Sequence, residues 1–86
     1  MPTEREKVFW PYLEISKDCR IANNRTQAKV AEAAGLSLKY VSLLESGRRV
    51  PAMESVIALC AASGVSRATV NALVGEYLDT YQWEES

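Results

Sequence analysis

The sequence has no histidine. That excludes Ser-His nucleophile pairs, imidazole acid–base catalysis and His–metal ligation. Its two cysteines, Cys19 and Cys60, cannot build a four-ligand zinc site and match no CxxC spacing. A disulfide between them stays open, but two free, buried thiols in a reducing compartment suit the pattern better. There is no GxxxxGK phosphate loop. No run approaches the ~18 consecutive apolar residues of a membrane span. The opening MPTEREK lacks the apolar stretch of a secretory signal. These absences point to a cytoplasmic chain with no metal, no cofactor and no membrane partner. They also argue against an enzyme, because no acid–base pair with a nucleophile can be assembled from what remains.

What is present fits one small domain spanning residues 1–86. The net charge of -1 and a pI of about 5.4 speak at first against a polyanionic partner. The distribution changes that reading. Residues 20–50 carry six cations (Arg20, Arg25, Lys29, Lys39, Arg48, Arg49) against Glu32 and Glu45, a net +4. Residues 1–19 hold three bases and four acids, net -1, and residues 51–86 hold one base and five acids, net -4. A positive middle between acidic ends supplies a local electrostatic footprint without global basicity. Chance clustering on a solvated surface is the plainer reading, and charge alone does not reject it.

Periodicity of 3.6 residues dominates, and no alternation is long enough for a strand. Thr3 with Glu6 forms a capping box for a first helix carrying Val8, Phe9, Tyr12, Leu13 and Cys19. Pro11 either starts a fresh helix or kinks a longer one. Asn23-Asn24 ends this segment. Thr26, or Asn24, caps a second helix that closes at Gly35. Ser37 caps a third, running to about Ser46 and stopped by Gly47. Pro51 sits where a fourth begins, with a predicted inner face of Met53, Val56, Ile57, Cys60 and Ala61. Gly64 ends it. Ser66 caps a fifth helix, expected over 66–83, with the stripe Val70, Leu73, Val74, Tyr77, Leu78 and Tyr81. The fold class is all-α, a five-helix bundle.

The informative segment is QAKVAEAAGLSLKYVSLLE, Gln27 to Glu45, within a helix-turn-helix spanning 26–46. Two short helices that cross steeply need a small side chain at the crossing, here Ala31. The turn needs a residue that tolerates positive φ, here Gly35. Val30, Ala34, Leu36, Val41 and Leu44 supply the apolar locks. The combination at fixed spacing favours a helix-turn-helix over an ordinary corner between helices.

From Arg25 to Ser66, about half of the chain, the sequence resembles the Cro/phage-repressor (XRE-type) helix-turn-helix DNA-binding family. The resemblance rests on Thr26-Gln27, on Ala31 to Gly35, on Glu45-Ser46-Gly47, on the pair Arg48-Arg49 and on Pro51. It implies a lambda-repressor-like five-helix domain whose third helix enters the DNA major groove. It further implies bacterial or phage transcription control by a dimer on a palindromic operator. Carried over residue by residue, Ser37, Leu38, Lys39, Ser42 and Leu43 match base-facing positions. Gln27 matches a residue that meets a phosphate and is braced on the third helix. Arg20 and Glu45 match a structural ion pair. Arg25, Thr26, Lys29, Tyr40, Arg48 and Arg49 are further phosphate candidates.

Leu38 and Leu43 depart from the polar residues usual at base-facing positions. Leucine packs against thymine methyls but makes no hydrogen bond, which leaves Lys39 and Ser42 as the polar readers. The same leucines fit a second reading, a protein-interaction module that keeps the helix-turn-helix as a scaffold. Tyr77, Leu78, Tyr81 and Trp83 exceed what a small core needs. They suit either a dimer contact or a cover over Phe9, Trp10 and Tyr12.

Overall fold

The structure is a computed structural model and describes residues 2–84; Met1, Glu85 and Ser86, the ends of the expected 1–86 domain, lie outside them. Local capping explains where its helices begin. Thr3 and Glu6 form the reciprocal box: the Thr3 N–H donates to Glu6 Oε1 (2.8 Å) and the Glu6 N–H to Thr3 Oγ1 (3.1 Å). A single 3-10 turn, Glu6–Val8, leads into helix α1, Phe9–Ala22. Pro11 is the third residue of α1. It falls in the first turn, whose N–H groups have no partner within the helix, so its missing donor costs nothing there. Of the two alternatives the first fits: Pro11 lies in the first turn of a helix that begins at Phe9, and it does not divide the element.

Helix α2 is Gln27–Ala34 and α3 is Leu38–Glu45. Thr26 caps the first through Oγ1, which accepts from the Lys29 N–H (3.1 Å). Ser37 caps the second in the same way from the Tyr40 N–H (3.1 Å). Helix α4 is Met53–Ser63 and α5 is Arg67–Leu78. Ser66 Oγ caps α5 by accepting from the Thr69 N–H (3.2 Å). Pro51 is buried just ahead of α4, whose N-cap is Ala52, so the helix starts two residues later than expected. Among the described residues there is no strand.

The buried face of α4 is rotated from the expected one. Val56, Leu59, Cys60 and Ser63 are inside, whereas Ala61 is exposed and Met53 and Ile57 are half-buried. The reason is tertiary: α1 and α2 both pack on α4, while α5 touches it lightly. The side of α4 facing α5 therefore stays partly open. The core gathers Phe9, Leu13, Val30, Val41, Leu44, Val56, Leu59 and Leu73. Between α1 and α4 lie two fully buried hydroxyls, Ser16 and Ser63, which bond to each other (2.9 Å). Mutual hydrogen bonding is what makes burial of both tolerable. Both cysteines are free, as expected, but only Cys60 is buried; Cys19 is half-buried.

Helix α5 stops at Leu78, short of the expected 83, and only Leu73 of its stripe is fully buried. Thr80 Oγ1 donates to the Tyr77 carbonyl (2.6 Å) and the Thr80 N–H bonds the same carbonyl, so the chain leaves the helical ladder there. The residues beyond fold back on the start of the chain. Arg5 donates from Nε to Thr80 Oγ1 (2.9 Å) and its guanidinium lies 3.6 Å from the centre of the Tyr81 ring. Tyr77 stacks on Phe9 at 5.1 Å. Of the four residues read as either cover or dimer contact, Tyr77 covers the core. Leu78, Tyr81 and Trp83 stay exposed.

Candidate nucleic-acid interface

The turn between α2 and α3 follows from Gly35. Its φ is +70, and a Cβ added there would meet nothing within 4 Å. The backbone angle, not crowding, is what calls for glycine. Beyond it the Leu36 N–H returns to the Ala31 carbonyl (2.9 Å). Ala31 at the helix crossing is 3% exposed, and Val41 and Leu44 seat α3 on the core at 0% and 1%.

A polar clamp fixes the orientation of α3. Arg20 on α1 donates from Nε to Glu45 Oε2 (2.7 Å) and from Nη2 to Glu45 Oε1 (2.9 Å). Gln27 at the start of α2 donates from Nε2 to the same Oε1 (3.0 Å). The remaining Arg20 branch, Nη1, donates to the Arg25 carbonyl (2.9 Å). Side-chain exposure is 12% for Arg20 and 3% for Glu45. Burial by itself would raise the Glu45 carboxyl. The hydrogen bonds from Arg20 and Gln27, with the charges of Arg20 and Lys17, outweigh it and hold the group below its ordinary value. Three helices are thus pinned through one carboxylate, by planar, two-pronged pairing that only a guanidinium supplies.

With α3 held this way, Val41 and Leu44 point inward and Ser37, Leu38, Lys39 and Ser42 are exposed. Leu38 is 50% exposed, whereas Leu43 is half-buried on the flank of the helix. Lys29, Arg48 and Arg49 are exposed cations. Arg49 lies over the half-buried Tyr40 ring at 5.3 Å, which gives Tyr40 a cation–π partner. Thr26 is committed to its cap and Gln27 to the clamp.

Arg25, a phosphate candidate, is exposed and also has a partner within the fold: its Nη1 donates to the Ala62 carbonyl at the end of α4 (2.6 Å). Asn23 joins it, donating from Nδ2 to the Ser63 carbonyl (3.2 Å). Both thereby satisfy orphan carbonyls at a helix C-terminus. Sequence reasoning missed this cap, because its donors lie 37 and 40 positions from their acceptors and no local pattern links them.

Residues 17–73, more than half of the chain, match the family described as helix-turn-helix domain. The chain belongs to that family. Among curated proteins it is similar to the transcriptional regulator ClgR of Mycobacterium tuberculosis, in strains CDC 1551 / Oshkosh and ATCC 25618 / H37Rv. Each is 32% identical over 63 residues, which is 73% of this chain and 56% of the relative. The chain therefore spans about half the length of these relatives. No solved structure matches it significantly. Among the described residues, no helix is long and apolar enough to cross a membrane.

Proposed function

We propose that this chain is a sequence-specific, double-stranded DNA-binding transcriptional regulator of the Cro/phage-repressor (XRE) type, with α3 entering the major groove. One observation carries the reading. The outward side of α3 presents Leu38, Lys39 and Ser42 to solvent, while its inner side is pinned by the Arg20–Glu45–Gln27 clamp. A rigid helix with a projecting first turn is what groove reading requires. Lys29, Arg48 and Arg49 are the phosphate contacts in this reading, and Gln27 and Thr26 border the N-terminus of α2, where an anion is favoured. Lys39 and Ser42 supply the polar base contacts. Arg20 serves the fold rather than the DNA.

The same proposal includes a homodimer on a palindromic operator, with half-sites about 34 Å apart. The exposed Leu78, Tyr81 and Trp83, at 44%, 41% and 66%, support a subunit contact remote from α3 in the chain. A bacterial or phage-encoded protein of the cytoplasm is the setting this implies. The half-exposed Leu38 also favours a second reading, a protein-interaction module on the helix-turn-helix scaffold with weak or no DNA specificity.

An electrophoretic titration against random duplex DNA at several salt concentrations separates the two. Binding that weakens steeply with salt is the expected result. Absence of any complex at low salt, alongside a tight protein partner, would leave only the second reading.

A further inference from the structure

Leu38 is the first residue of α3 and stands 50% exposed beside the exposed Ser37 and Lys39. It is a leucine at the tip of the helix that the proposed function sends into the groove. The Ser37 hydroxyl next to it already accepts from the Tyr40 N–H, so one of its lone pairs is spoken for. The other leucine of α3 that was a candidate, Leu43, is half-buried, and its carbonyl accepts from the Arg48 N–H (3.0 Å) and the Ser46 hydroxyl (3.1 Å). Of the two candidates Leu38 is the more exposed, and it stands at the tip of the helix.

A leucine side chain carries neither donor nor acceptor. In the major groove the one apolar group on an ordinary base edge is the C5-methyl of thymine. We infer that Leu38 reads a pyrimidine C5-methyl group and is blind to the atom at C4. The inference rests on the DNA-binding reading and deepens it. Its consequence is specific: removing the methyl matters and exchanging the C4 oxygen for an amino group does not, as far as Leu38 is concerned. Thymine and 5-methylcytosine then present the same feature to this side chain, and uracil and cytosine both lack it. In a half-site that carries cytosine in place of that thymine, C5 methylation of the cytosine would restore the contact.

The test uses the full chain and a duplex recovered by selection from a random library. Thymines are replaced one at a time by deoxyuridine, and affinity is measured at fixed salt. One thymine per half-site is expected to show about a fourfold loss, the transfer value of one buried methyl group. That ratio should fall to one in Leu38→Ala, whose folding is checked by circular dichroism. At the same position, a 5-methylcytosine·guanine pair should bind about fourfold tighter than cytosine·guanine. Equal affinity for thymine and uracil at every position, or a ratio unchanged in Leu38→Ala, overturns the inference while leaving DNA binding intact. Failure to bind any duplex at low salt overturns the DNA reading itself and this inference with it.

Discussion

Replacing Glu45 by alanine should be among the most damaging single changes in the chain. The carboxylate is 3% exposed in its side chain and accepts three hydrogen bonds, two from Arg20 and one from Gln27. Its loss leaves a guanidinium only 12% exposed, with the Arg25 carbonyl as its remaining partner. Breaking a buried ion pair by deleting one member typically costs about 3–5 kcal/mol, because the other charge stays buried. Against a total stability of about 4–13 kcal/mol for a chain of this length, that is enough to unfold a marginal domain. Arg20→Met should lose a similar amount, since it strands the carboxylate. The double replacement Arg20→Met with Glu45→Leu should be far milder than the sum, with a coupling of about 3 kcal/mol. Urea unfolding followed by helical circular dichroism measures all three. pH supplies a second signature. The Glu45 carboxyl is held below its ordinary 4.5 in the folded state, so its stabilisation is full above that value and is lost as pH falls through the folded value. The double variant should lack that acid-side decline. Additive single losses, or a Glu45→Ala protein within about 1 kcal/mol of the parent, would refute the reasoning.

Gly64→Ala should lower stability by about 1–3 kcal/mol in a thermal melt, because φ is +92 and the new Cβ would lie 2.5 Å from Asn23 Nδ2. Gly35→Ala, with φ +70 and open space, should show only the conformational part, about 1–2 kcal/mol; equal losses would discount the crowding at Gly64. Burial pushes the Cys60 thiol up to about 11, so a thiol reagent near neutral pH should label Cys19 alone until urea is added. Labelling of both at one rate contradicts that burial. Arg48→Ala should weaken binding to all duplexes and flatten the salt slope by about one unit, and an unchanged slope removes Arg48 from the phosphate contacts. Lys39→Ala should weaken the selected duplex by about 1–3 kcal/mol more than random DNA; a uniform loss makes Lys39 a phosphate contact.

What could be read from the sequence was what depends on neighbours in the chain. The Thr3–Glu6 box, the Thr26, Ser37 and Ser66 caps and the left-handed turn at Gly35 all form within a few residues. Their free energies are local, so their positions follow from residue type and spacing. The outward set Ser37, Leu38, Lys39, Ser42 and Leu43 came through the family resemblance; the first four are exposed, because Val41 and Leu44 turn the opposite side inward, while Leu43 is half-buried. Tertiary packing decided the rest. Which side of α4 is inside depends on α1 and α2 closing on it together, and periodicity alone allowed the Ile57–Ala61 side equally. Arg25 is charged and exposed in any local reading, yet the Ala62 carbonyl at the end of α4 claims it. The end of α5 was set by Thr80, whose hydroxyl meets both the Tyr77 carbonyl and Arg5 from the far end of the chain. A cap is a property of a few consecutive residues. A buried face, or a side chain's partner across 37 or 75 positions, exists only once the helices have met.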